Sequence, residues 1–561
     1  MIGILSGVAS IAFTTLLEFI KEHVFESGKE ILHIGSSLDS RLLLPLLPVL
    51  GAVLLIPLSL KYPGEVNGYG FPKFLETVNL RNSKIPLRSV FLKMLAPSLT
   101  IGTGGSAGVE GPSAAIGGGL GYIFGRHLGL SGKSITVMIA AGAAGTIAAS
   151  FNAPIAGVMF AIEIILLGNY ELVSFGAVVI SAGMATAVSR AYHGANPAFI
   201  VPDYDIAGVY ETPFYLVLGF LLGVLAVLYI KFFYKVRDVF EKLPVNTQLK
   251  PLIGALLVGA VGIFFPHIMS DGYEVIEEAL KGHYVFWVFI VLAALKIVAT
   301  AITLGSGGAG GVFAPALFIG AMVGGAYGVI VKTLFPLYTS TPAAYATVGV
   351  GAFLAATTHA PLTGMFLLFE MTGNYKIMLP IMFASIAGVF TAKSLSPDSI
   401  DTAELSRRGI NLRTNMETAI LQSIFVNEIM KKDFQTINEN DPIAVVSQMV
   451  IEGKGFYFPV VTADNELMGV ISMQDIKSVM LDSYIKGIVK AGSLATEDAI
   501  TLKTADNLKT ALEYFSYEDV DEIPVVESKT PKKVVGMLKR GDVITAYNKA
   551  VLKRQVEDID F

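Results

Sequence analysis

The 561-residue chain contains no cysteine, which excludes disulfides and thiolate metal sites, although it leaves the compartment open. Its seven histidines are scattered and form no HExxH pair, so no zinc site is expected. Charge is scarce too, at 16% of residues, and the formal net charge of −5 is too small to point to a nucleic-acid partner. No basic segment and cleavage site mark the start as a removed signal; an apolar stretch there runs into Glu18, Lys21 and Glu22. What fills the chain instead is apolar: 53% hydrophobic residues and a mean hydropathy of +0.62 describe a polytopic membrane protein. Apolar runs recur over about Leu43–Leu60, Tyr215–Ile230, Leu252–Phe265, Val285–Leu304 and Ile377–Ala392. Several are shorter than the roughly 20 residues of a full crossing, or are broken by Gly and Pro, which implies backbone lining an internal site. Glycine, at 57 residues, exceeds its ordinary share of about 7%, as expected where helices approach closely.

The stretch Gly104 to Gly121, GGSAGVEGPSAAIGGGLG, is a glycine-bounded entry into an apolar helix with a single carboxylate, Glu110, at its mouth. Free backbone N–H groups at a helix start approach a ligand closely and favour an anion. A packing segment with a capping glutamate explains the same residues. A second copy separates the two readings. Gly108-Val-Glu-Gly-Pro112 matches Gly311-Val-Phe-Ala-Pro315, and the match continues through Ile116/Ile319 and Gly117/Gly320. Downstream, Asn152-Ala-Pro-Ile-Ala-Gly157 matches His359-Ala-Pro-Leu-Thr-Gly364, with Glu163 and Glu370 equally spaced from their prolines. An internal repeat with paired, interrupted segments points to a midplane site where positive helix N-termini converge, and hence to an anionic substrate.

Two basic clusters, Lys73, Arg81, Lys84, Arg88 and Lys231, Lys235, Arg237, Lys242, Lys250, are assigned to the cytoplasmic side. The second falls between the two halves of the membrane domain, about 1–235 and 250–401. A charged connector, 402–424, leads to two βαβ-type units at 425–482 and 490–550 and a tail at 551–561. The units carry Phe458-Pro-Val-Val461 with Gly469-Val-Ile-Ser-Met-Gln-Asp475, and Ile523-Pro-Val-Val526 with Gly536-Met-Leu-Lys-Arg-Gly-Asp542. A strand ending in a turn, a donor and an Asp before a helix suits a ribose and phosphate.

With these residues in place the chain resembles the ClC family of chloride channels and chloride/proton antiporters with a C-terminal CBS pair. Gly68-Tyr-Gly-Phe-Pro72 is similar to the family's GSGIP segment, Gly108-Val-Glu-Gly-Pro112 to G(K/R)EGP and Gly311-Val-Phe-Ala-Pro315 to GxFxP. The resemblance implies an all-α polytopic membrane domain built as an inverted repeat of broken helices, plus a cytoplasmic α/β tandem CBS domain. It implies a homodimer in the lipid bilayer with one anion pathway per subunit. Carried over by position, Glu110 is the gating carboxylate competing with chloride. The amides of Val109, Glu110, Gly111, Val312, Phe313 and Ala314 would coordinate the anion, offering partial charge without a trapping cation. Lys93 matches a buried family lysine that raises the positive potential; snorkelling to the cytoplasm is the alternative.

Four departures from the family pattern bear on mechanism. Tyr69 stands in the place of the pore serine: it keeps a hydroxyl donor for the anion, occludes the inner pathway, or turns into packing. Asp401 falls where a pore tyrosine is expected, and because an ionised carboxylate repels chloride it is expected to face the cytoplasm or pair with Arg407 or Arg408, with Tyr69 replacing the lost hydroxyl. Val109 replaces a basic residue beside the gate, weakening capture at the outer mouth. Ile164 stands where antiporters place an inner proton-relay glutamate, one position after Glu163, and isoleucine carries no proton.

The reading that follows is chloride transport gated by Glu110, channel-like or proton-uncoupled, with CBS regulation. The alternative is a chloride/proton antiporter; a CBS-regulated cation transporter is remote, because the prominent intramembrane acids are only Glu110, Glu163 and Glu370. No nucleophile or metal constellation suggests an enzyme. No cofactor is required. In the CBS pair, Ser472, Asp475, Lys539 and Asp542 are candidate contacts for an adenine nucleotide, against a ligand-free dimerising module.

Overall fold

The computed structural model describes the chain apart from residues 36–38, 81–83, 131, 169–171, 196–207, 411, 413–415, 453–456, 478–488, 498, 519, 529, 531 and 560–561. Arg81, residues 411 and 413–415 of the connector, the excepted stretches of the two C-terminal units and the last two residues of the tail therefore lie outside the described residues. Two units are distinguished, Met1–Ser406 and Arg407–Phe561.

The first unit is helical. Among the described residues eight helices are long and apolar enough to cross a membrane, including Asp39–Lys61, Gly132–Phe151, Thr212–Lys242, Phe286–Gly305 and Phe313–Leu334. Others are too short. Pro154–Phe160 continues into a π-helical turn at Ala161–Ile165, and Pro361–Thr372 has 12 residues. Both start on a proline, where the missing N–H costs no helical bond. Each follows a residue held at positive φ, Asn152 (54°) and His359 (59°), which closes the preceding helix. The Ala-Pro steps of the two repeats are thus the same helix-turn-helix joint made twice.

Glycine sets how the helices cross. A β-carbon on Gly117 would lie 2.2 Å from the Gly142 carbonyl oxygen, and one on Gly142 would lie 2.1 Å from that of Gly117. In the second half, Gly320 and Gly349 stand in the same relation, at 2.3 and 2.2 Å. Glu110–His127 therefore packs on Gly132–Phe151, and Phe313–Leu334 on Pro342–Thr358, backbone to backbone, a contact only glycine permits. The two halves meet head to head where Gly108 and Gly311 exchange N–H···O bonds of 2.8 and 2.7 Å, an antiparallel bridge. This bridge places both helix starts at one point in the interior.

The second unit contains two three-stranded sheets, Ile437–Asn438 with Tyr457–Val461 and Leu467–Ser472, and Leu502–Lys503 with Glu522–Val526 and Val534–Lys539. In each, the first pair is parallel and the second antiparallel, with a register shift at Val460/Val461 and at Val525/Val526. Neither core is closed by its own segment. Val426 lies in the core of the second sheet with Phe515 and Leu538, and Ala491 in that of the first with Phe458 and Ile471. The leading segment of each unit is exchanged, which makes the pair one folded body.

Candidate anion site

Glu110 is the first residue of Glu110–His127, and Phe313 the first of Phe313–Leu334; Val109 and Val312 are their N-caps. The first helical bonds run from Ser113 N–H to the Val109 carbonyl and from Ala316 N–H to the Val312 carbonyl. The preceding amides, those of Glu110, Gly111, Phe313 and Ala314, thus belong to the part of each helix that has no intrahelical acceptor. Pro112 and Pro315 carry no N–H at all. All six candidate coordinating residues, Val109, Glu110, Gly111, Val312, Phe313 and Ala314, are buried and drawn together by the Gly108–Gly311 bridge. Two helix N-termini pooling partial positive charge around small residues suit a monovalent anion.

The Glu110 carboxylate is folded back into this place. It is fully buried, and the space beside Gly108 is bounded by both its Oε2 and the Ala314 amide: a β-carbon on Gly108 would lie 2.2 Å from the one and 2.9 Å from the other. Its Oε2 lies against Gly108 and makes no hydrogen bond of ordinary geometry. Its Oε1 accepts a 2.6 Å bond from the Tyr273 hydroxyl. Tyr273 opens the short helix Tyr273–Leu280 after Gly272 and was not among the residues the sequence singled out. Nor was Lys296, which is fully buried and donates to the carbonyls of Ile268 (3.1 Å) and Ser270 (2.9 Å). The repeat held a signal for Lys296: it precedes Phe313 by the same interval that separates Lys93 from Glu110.

Lys93 turns inward, with its ammonium against Gly70, so it does not snorkel to the surface. It lines a narrow internal cavity together with Gly68, Phe71, Gly111 and Gly310, which joins the Tyr69 segment to the gate helix. Tyr69 is buried, its ring edge-on to Phe233 at a centroid distance of 6.0 Å, and its hydroxyl donates to Asp401 Oδ1. Asp401 is 1% exposed, so the expectation that it faces the cytoplasm is corrected. The physical reason is a hydroxyl donor opposite it: the phenol gives one carboxylate oxygen, Oδ1, a charge-assisted bond inside the protein. Arg407 and Arg408 are exposed, and Arg237 grips Glu404 through two bonds of 2.6 and 3.1 Å.

Glu163 accepts bonds from the amides of Leu362 (3.1 Å) and Thr363 (2.7 Å) and from the Thr363 hydroxyl (2.8 Å). Glu370 does the same for Ile155 (3.0 Å) and Ala156 (2.8 Å). Each repeat thereby caps the first turn of the other's short helix. Ile164, beside Glu163, is buried.

In the C-terminal unit, the amide and hydroxyl of Ser472 both donate to Asp475 at 2.7 Å. Lys539 pairs with Glu522 at 2.7 Å, and Asp542 faces Lys431 at 3.4 Å. The four candidate nucleotide contacts thus have protein partners. A separate surface depression is lined by Thr501, Glu513, Tyr514 and Tyr517.

Converging helix starts, a buried carboxylate between them and an antiparallel pair of helical repeats define a membrane transport protein for anions. The chain matches the family model described as "Voltage gated chloride channel" over residues 51–393 and the CBS domain over 426–482 and 491–549. It is 31% identical over 413 residues to the "Putative chloride channel protein ClcB-like" of Ralstonia nicotianae, covering 72% of this chain and 95% of that one. It is 32% identical over 415 residues to the "H(+)/Cl(-) exchange transporter ClcA" of Vibrio campbellii, covering 72% and 88%. Among solved structures it is similar to a slow cyanobacterial Cl-/H+ antiporter, with a TM-score of 0.66 and 27% identity over 74% of this chain and 97% of that one. A eukaryotic CLC transporter, at TM-score 0.61 and 20% identity, shares the fold over 96% of both chains. The chain belongs to the voltage gated chloride channel family. It is an integral, multi-pass membrane protein of anion transport with a cytoplasmic CBS pair.

Proposed function

We propose that the protein exchanges chloride for protons across the membrane, with Glu110 as the gate that alternates with chloride in the cradle of the two helix starts. The observation that supports this reading is the buried Glu110 carboxylate beside Gly108 and the Ala314 amide, between the two helix starts. A mobile carboxylate matches a halide in charge, so the two compete for the same N–H groups. Protonation removes the charge and vacates the site for chloride. Coupling to protons is supported by the relatives named as H(+)/Cl(-) exchange transporters and by the antiporter at 27% identity. It takes precedence over the channel-like reading suggested by Ile164.

That second reading keeps one observation in its favour. Ile164 is apolar, and Glu163 is committed to capping the Pro361–Thr372 helix, so an inner proton relay needs another group or water. Purified protein in liposomes, with the reversal potential followed under a pH gradient, separates the two. A reversal that shifts with pH is expected; a reversal fixed by chloride alone overturns exchange and leaves the uncoupled pathway. We further propose that the protein works as a homodimer and that the CBS pair takes an adenine nucleotide. Titration calorimetry of the full chain in detergent with ATP, ADP and AMP tests the latter; no heat with any of the three leaves the pair as a ligand-free module.

A further inference from the structure

We infer that Tyr273 is the latch of the gate: its phenol holds the Glu110 carboxylate in the anion cradle and sets how much chloride is needed to displace it. The inference rests on the reading of Glu110 as the gate. A glutamate at the first position of a helix already faces backbone N–H groups and needs no side-chain donor to be stable there. Tyr273 adds a 2.6 Å charge-assisted bond from the opposite repeat, to an oxygen that leaves the cradle whenever chloride enters it. The bond therefore exists in the closed state and breaks in the open one.

The phenol is held in place by a loop built for that purpose. Between Ile268 and Tyr273 the chain takes two left-handed residues, Ser270 at φ 55° and Gly272 at φ 85°. A serine in that region is strained and persists only where its surroundings hold it. Here the ammonium of Lys296 holds it, bonded to the carbonyls of Ile268 and Ser270, while the Ser270 amide donates to the Gly104 carbonyl at 3.3 Å. Gly272 is required at the crowded point: a β-carbon there would lie 2.8 Å from the Phe318 ring and 3.3 Å from Lys296 Nζ. The Tyr273 ring leans edge-on against Phe151 at 6.4 Å, and the next residue, Glu274, is tied to Lys21 at 2.9 Å.

The first repeat has the same parts in the same order without the hydroxyl. Gly70 and Phe71 open a short helix, Phe71–Asn79, and Lys93 lies against Gly70 as Lys296 lies near Gly272. Phe71 meets Phe160, which in turn packs on Phe313. An aromatic residue at this joint is thus scaffold; a phenol is present where a carboxylate must be held. Tyr273 acts as a positioning residue for the gate, and Lys296 positions Tyr273.

Chloride uptake into liposomes, measured against chloride concentration, tests the latch. Tyr273→Phe keeps the ring and its contact with Phe151; it is expected to lower the half-saturating chloride concentration about tenfold, the worth of one hydrogen bond to a charged group, with maximal flux little changed. In a Glu110→Ala background the same substitution is expected to shift nothing, because the group it holds is gone. Tyr273→Leu, which also lacks the hydroxyl, serves if the Phe variant does not reconstitute. A fall in maximal flux with unchanged half-saturation makes Tyr273 merely structural and overturns the latch, as does an equal shift in the Glu110→Ala background. If Glu110→Ala by itself leaves the chloride dependence unaltered, the gate reading falls first and takes the latch with it.

Discussion

The two repeats of the membrane unit share a scaffold and divide the chemistry. Gly117 and Gly142 cross as Gly320 and Gly349 do; Asn152 and His359 turn the chain alike; Glu163 and Glu370 cap each other's helices. At the two helix starts the likeness stops, with Glu110 in one and Phe313 in the other. The same holds one element earlier, where Tyr273 bears a hydroxyl and Phe71 none. Duplication supplies a symmetric pair of helix starts, and substitution at two positions places a carboxylate and its phenol donor at one of them. The glycines kept alike are those where backbones touch. Glu110 differs from Phe313, and Tyr273 from Phe71, where the side chains of one copy or the other meet the helix starts.

If the scaffold is symmetric, breaking either crossing should do equal damage. Gly142→Leu and Gly349→Leu each drive a β-carbon to about 2 Å from a backbone oxygen that cannot yield, a worse case than ordinary core overpacking at about 1–3 kcal/mol. Both variants are expected to lose monodisperse protein on size-exclusion chromatography in detergent. A folded Gly349→Leu beside an unfolded Gly142→Leu would break the comparison.

The next effect sharpens it at the buried Tyr69–Asp401 pair. Tyr69→Phe leaves the buried Asp401 without its phenol donor, a loss of about 1–3 kcal/mol. Thermal unfolding in detergent should fall accordingly, and Tyr69→Phe combined with Asp401→Asn should recover part of the loss, because an amide tolerates burial better than a carboxylate. If the single variant melts like the unaltered protein, the pair contributes nothing to stability.

The fold was legible because its determinants are local: apolar runs, prolines at helix starts and repeated glycines at fixed intervals. The place of Glu110 at a helix start was legible for the same reason, this being the one acid in a glycine-rich helix mouth. Asp401 was misread because its environment is made by Tyr69, 332 positions away in the chain. No spacing along the sequence brings those two together. Tyr273 was missed because a tyrosine after a Ser-Asp-Gly turn reads as a loop residue, and only the antiparallel meeting of the repeats brings its hydroxyl to Glu110. Lys296 stood in the repeat register with Lys93, but a lysine inside an apolar span carries no partner in the sequence; its acceptors are carbonyls.

A smaller effect separates scaffold from proton pathway at Glu163. Glu163→Gln and Glu370→Gln each weaken a pair of helix-capping bonds, which costs about 1 kcal/mol. Equal drops in melting temperature with the pH dependence of the reversal potential intact are expected, since the two residues do the same mechanical work. Loss of proton coupling in Glu163→Gln alone would make Glu163 part of the proton route despite its cap, and the symmetry would then fail at a third position.

The smallest effect lies in the CBS pair, itself a duplication with one altered position. Ser472 closes its turn on Asp475, whereas the matching Lys539 reaches back to Glu522 and leaves Asp542 facing Lys431. Lys539→Ser removes a partly exposed ion pair worth about 0–1 kcal/mol and offers Asp542 a hydroxyl in the geometry of the first unit. The melting temperature should therefore stay nearly constant. The informative readout is calorimetry with ATP on the full chain: heat that is present before and lost after the substitution assigns Lys539 to a phosphate, as one unit keeping the plain turn and the other exchanging it for a ligand contact would require. Unchanged heat in both would make Lys539 a surface lysine, and the two CBS units alike in function as well as in fold.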